Sequence, residues 1–159
     1  MKLAPISSAV RALIGALLVA GCGLDLADSN SKGDSYSSSV QQADQARQAG
    51  NLDAAIPLYG RALQSKPDGV EAKLGLGQSY LSIGAPDEAA ALFRDVLKQR
   101  DANQVARRGL ASALISMGQP DLAERQLEAA LQADGRDYRS LNAFGVVLDM
   151  QGRHADAQA

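Results

Sequence analysis

The chain has 159 residues, 16 basic against 18 acidic, one cysteine, one histidine and no tryptophan. A lone thiol excludes an intramolecular disulfide and, with no histidine cluster beside it, a zinc site. A formal net charge of −2 with no basic stripe argues against a nucleic-acid partner, which demands clustered cations facing phosphates.

The first 21 residues have the layout of a secretory signal: Lys2 and Arg11 are basic, an apolar run follows from Ala12 to Ala20, and small residues close it. At about nine residues the run falls far short of the roughly 20 needed to span a bilayer. Val19, Ala20, Gly21 and Cys22 resemble the bacterial lipobox. That resemblance implies cleavage before Cys22, diacylglycerol on its thiol and an acyl group on its new amine, a covalent lipid and no other cofactor. More than one chain gives stable attachment, since each buried methylene contributes about 0.8 kcal/mol. Gly23 follows, not the aspartate that retains enterobacterial lipoproteins at the inner membrane, so the resemblance points to the periplasmic side of the outer membrane. Removing Lys2 and Arg11 with the signal leaves 14 basic against 18 acidic residues, a mildly acidic product suited to protein partners.

Gly23 to Ser39 holds six serines and two glycines, a composition expected of a flexible tether spanning about 20 to 25 Å. A helical domain is expected from Val40 to Ala159.

Within that domain Gly50, Gly84, Gly118 and Gly152 recur every 34 residues. Ala55, Ala89, Ala123 and Ala157 keep the same interval, as do Tyr59, Phe93 and Leu127, then Leu63, Leu97 and Leu131. Ala43, Gly77, Ala111 and Gly145 form a column of small residues. Glycine at the turn suits a helix that ends in the left-handed region. Pro86-Asp87 and Pro120-Asp121 suit the start of a helix. Pro57 is placed in a first turn after Asp53, where it should not break the helix.

Period and pattern resemble the tetratricopeptide repeat, which implies an all-α right-handed superhelix of antiparallel helix pairs. The stretch "VEAKLGLGQSYLSIGAPDEAAALFRDVLKQRDAN" carries the signature at Leu76, Gly77, Tyr80, Gly84, Ala89 and Phe93. About three and a half repeats are present, the last, "YRSLNAFGVVLDMQGRHADAQA", interrupted in its second helix.

No nucleophile with a base, no ligand set and no phosphate-cradling loop accompanies the repeats, so no enzyme is expected. His154 reads as a solvated turn residue, and Asp87-Glu88 as acids favoured by a helix N-terminus. The resemblance instead implies a concave groove lined by the first helices. Its positions are Asp44 and Arg47, then Leu74, Gln78 and Leu81, then Arg108, Ser112 and Ile115, then Arg139, Asn142, Val146 and Asp149. Donors that would grip a C-terminal carboxylate are replaced by Asp44, Gln78 and Leu81. Leu81 and Ile115 are expected to anchor a partner, with Arg108 and Arg139 selecting it by charge.

As a whole the chain resembles the TadD lipoproteins of tight-adherence (Flp) pilus assembly, through lipobox, polar segment, "AGNLDAAIPLYGRAL" and "RSLNAFGVVLDMQGRHADAQA". That implies a lipid-anchored scaffold assisting an outer-membrane secretin. An adaptor in outer-membrane-protein assembly or peptidoglycan-enzyme regulation would share the architecture.

Overall fold

A computed structural model describes residues 23–157; Cys22 and the signal segment lie outside the described residues. Eight helices follow in order: α1 (Gly23–Gln48), α2 (Leu52–Ser65), α3 (Val70–Ser82), α4 (Pro86–Gln99), α5 (Gln104–Ser116), α6 (Pro120–Ala133), α7 (Tyr138–Met150) and α8 (His154–Ala157). The described residues contain no strand, and no helix among them is long and apolar enough to cross a membrane.

Each pair closes at a glycine. Gly50, Gly84, Gly118 and Gly152 have φ between 68° and 77°, a region where a side chain costs about 1–2 kcal/mol. The chain leaves each helix by a bond from the residue after the glycine: Asn51 N–H donates to Ala46 O at 2.9 Å, Ala85 to Tyr80 at 2.9 Å and Gln119 to Leu114 at 2.9 Å. Asn51 and Asn103 side chains then cap α2 and α5 by accepting from the Ala54 and Ala106 amides. Pro86 and Pro120 open α4 and α6, where their missing N–H is no loss.

The repeated positions form the core. Ala55, Ala89 and Ala123 are wholly buried, and Tyr59, Phe93 and Leu127 fill the space beside them. Tyr80 touches both the core of the first two repeats and the cluster that runs from the second repeat to the fourth, making the array continuous. The first helices α1, α3, α5 and α7 pack side by side as well as against their partners α2, α4 and α6. This inner row forms the concave side.

Two expectations need correction. Helix α1 starts at Gly23, not at Val40, so the serine-rich segment expected as a tether is helical. Tyr36 explains its junction with the domain: the ring is 9% exposed, and its hydroxyl accepts from the Ala72 amide at 3.3 Å and donates to Glu71 at 3.0 Å. Gly69, the N-cap residue of α3, supplies no side-chain cap, and Tyr36 serves from the neighbouring helix. Any Cβ on Gly69 would strike that ring. Pro57 lies in the second turn of α2, not the first; the helix continues past it, held by the buried contacts of Ala55 and Tyr59.

Candidate functional site: the concave row of first helices

The expected groove positions all fall on first helices: Asp44 and Arg47 on α1, Leu74, Gln78 and Leu81 on α3, Arg108, Ser112 and Ile115 on α5, and Arg139, Asn142, Val146 and Asp149 on α7. On α1 the polar end is already engaged. Tyr59 donates to the Asp44 carboxylate, Arg47 Nε donates to the same hydroxyl at 3.2 Å, and Arg47 stands 3.8 Å from Asp44. Burial, then the bond to Asp44, pushes the Tyr59 hydroxyl up to about 12.

The middle is apolar. Leu74 and Leu81 on α3 and Ile115 on α5 are partly buried, each packed on the central core with part of its surface left exposed. Gln78 is partly exposed and Ser112 exposed between them. Val105, 37% exposed on the first turn of α5, was not among the expected groove residues. It occupies the position of Glu71 and Arg139 in the flanking repeats, so spacing alone could have found it.

Arg108 does not stand free to select a partner. Its guanidinium pairs with Asp137 at 2.6 Å, and Asp137 is the N-cap of α7, accepting also from Ser140 Oγ at 2.7 Å and the Arg139 amide at 3.2 Å. The Ser140 bond first, then Arg108, holds the Asp137 carboxyl below the usual range. Arg108 therefore ties α5 to the start of α7. Signal for this existed in the sequence, since Asp137 precedes a helix, but the cross-repeat reach could not be read from period alone.

On α7, Arg139, Asn142, Val146 and Asp149 are all exposed. Arg139 donates to Tyr138 at 3.0 Å, which raises its already high pKa. Met150, 45% exposed and one turn from Val146, extends the apolar stripe beyond the expected residues. The Asp149 carboxylate accepts from the His154 ring at 2.9 Å. The expected groove positions thus combine a non-polar centre, the Asp44 carboxylate on α1 and the Arg139 guanidinium on α7. Among the described residues no group of three or more His, Cys, Asp or Glu is placed to hold a metal ion.

Tetratricopeptide-repeat profiles match residues 40–104 and 84–143. No curated protein matches the chain by sequence. Among solved structures, MamA is 28% identical with a TM-score of 0.66, the match covering 72% of this chain and 67% of that one. TTC0263, a tetratricopeptide protein of Thermus thermophilus, is 20% identical with a TM-score of 0.72 over 77% and 69%. The first such domain of Spaghetti (RPAP3), bound to an HSP90 peptide, is 12% identical with a TM-score of 0.72 over 75% and 94%. An O-GlcNAc transferase mutant of Thermobaculum terrenum aligns at 24% identity and a TM-score of 0.70 over 74% of this chain but 22% of its own length. At such identities the last three speak to the fold alone.

Proposed function

The chain belongs to the tetratricopeptide-repeat proteins, and from that premise we propose that it is a lipid-anchored scaffold that seats a partner segment in its concave groove. The observation that carries this reading is the row of Leu74, Leu81 and Ile115, held by the core yet partly open on the inner helices. Partly buried anchors of this kind concentrate interface energy. The RPAP3 structure, in which a domain of this fold holds a peptide, supports the mode of binding.

The finer reading is that the partner is an outer-membrane secretin of the Flp pilus and that Cys22 carries the anchor. It rests on the lipobox and on the resemblance to TadD lipoproteins. The scaffold would hold secretin subunits near the outer membrane while they assemble.

The test uses Cys22→Ser in cells fed a labelled fatty acid. Wild type takes up label, needs detergent for extraction and brings the secretin down with it. The variant takes up none and leaves the membrane fraction. Label on the variant would refute the anchor, and a wild-type pull-down without secretin would refute the partner.

A further inference from the structure

We propose that the crevice between the second helices α4 and α6 and the flank of α5 that carries Arg107 and Leu110, apart from the expected groove positions, binds an acidic segment of a partner protein. Its cavity of about 470 Å³ is floored by Leu97 and Leu110 and walled by Arg94, Lys98 and Arg107.

The periodicity of the array isolates this crevice. One repeat earlier, the positions of Arg94 and Lys98 are Gly60 and Gln64; one repeat later they are Glu128 and Gln132. Of these equivalent pairs only the one on α4 sets two cations a helical turn apart. Neither has an ion-pair partner within 4.0 Å among the described residues, whereas Lys73, the earlier counterpart of Arg107, is bound to Asp95.

Two further replacements open the site. Leu92, packed on the core of the first two repeats, is replaced by Gln126, which lines the crevice. Asp95 is replaced by Ala129, so Arg107 loses the acid that its counterpart holds. Arg107 turns to Asp101 in the α4–α5 turn, at 2.7 Å. Asp101 is 89% exposed. It is therefore a displaceable internal stand-in for an incoming carboxylate.

Three cations lining one crevice, only one of them paired with Asp101, beside two leucines, fit a segment in which carboxylates flank apolar side chains. The leucines form a floor and do not protrude, as insertion into a bilayer would require. Three cations are also few against the phosphate contacts of a nucleic-acid site.

The experiment measures anisotropy of a fluorescent leucine–glutamate peptide with the full chain, beside its leucine–glutamine version and vesicles of phosphatidylglycerol. The glutamate peptide should bind at least about tenfold tighter than the glutamine one, the worth of a charge-assisted bond, and weaken with salt. Arg94→Glu with Lys98→Glu should abolish that preference. Asp101→Ala should tighten binding about threefold or more by removing the competitor. Leu81→Ser with Ile115→Ser should leave it unchanged, which separates this site from the groove. Equal affinity for both peptides, or no gain in Asp101→Ala, would overturn the proposal. So would vesicle binding that depends on Arg94 and Lys98 without peptide binding. Should the charge reversals unfold the chain by circular dichroism, the Asp101→Ala gain decides alone.

Discussion

Phe93 and Gly109, sixteen residues apart on α4 and α5, are packed so closely that a Cβ on the glycine would stand 2.5 Å from the ring's Cζ. Tyr59 and Gly75 repeat the relationship one repeat earlier. In the third repeat the aromatic gives way to Leu127, and the paired position is Ala143. Ring size and glycine thus go together. Gly109→Ala should cost about 1–3 kcal/mol by overpacking in urea unfolding. Phe93→Leu in the same chain should relieve part of that cost, because the two residues touch and their effects are not additive. A strictly additive double variant would show that the contact carries no strain.

Tyr59 sets an alkaline limit. Unfolded, its hydroxyl ionises near 10; folded, burial and the Asp44 bond hold it protonated to about 12. The unfolded chain then binds fewer protons than the folded one between those values, so stability is whole below pH 10 and falls as pH rises toward 12. Urea midpoints across that window should fall more steeply in wild type than in Tyr59→Phe. Identical slopes would remove Tyr59 from the account.

Asp137 acts in the opposite sense. Its carboxyl is held low by Ser140 and Arg108, so its contribution is present above the unfolded value near 3.9 and is lost as pH falls through the depressed folded value. Asp137→Asn and Arg108→Ala should both loosen α7 at neutral pH, read as faster amide exchange there. The acid-induced loss of stability should be shallower in Asp137→Asn. If Arg108→Ala instead left α7 protected and changed only partner choice, the expected selector role would be restored.

The repeat was legible because its turns and core columns carry residues with few substitutes: glycine at positive φ, alanine at close crossings, a large side chain opposite. The part of helix α1 before Val40 was not legible, since serine and glycine are weak helix formers. Tyr36 secures it by contacts with α3, 35 and 36 residues away. Leu74 and Leu81 lie on α3 and Ile115 on α5, the first helices to which the period assigns them, whereas the pairing of Arg108 with Asp137 depends on distances between repeats that no periodicity encodes.

Tyr36 gives that contact a measurable weight. Tyr36→Phe should keep the packing and lose about 1 kcal/mol with the hydroxyl. Tyr36→Ala should lose about 3–5 kcal/mol and expose the Ala72 amide to exchange. Unchanged protection at Ala72 in both variants would mean that α3 needs no cap from α1.

Whether the concave row seats a secretin segment is tested most directly by photocrosslinking in cells, with a benzophenone amino acid replacing Gln78, Ser112 or, as the control, Ala91. Gln78 and Ser112 lie between the apolar groove residues, and Ala91 is exposed on the second helix α4. A secretin adduct is expected from Gln78 and Ser112 and none from Ala91. Adducts from Ala91 alone, with both groove positions silent, would contradict it.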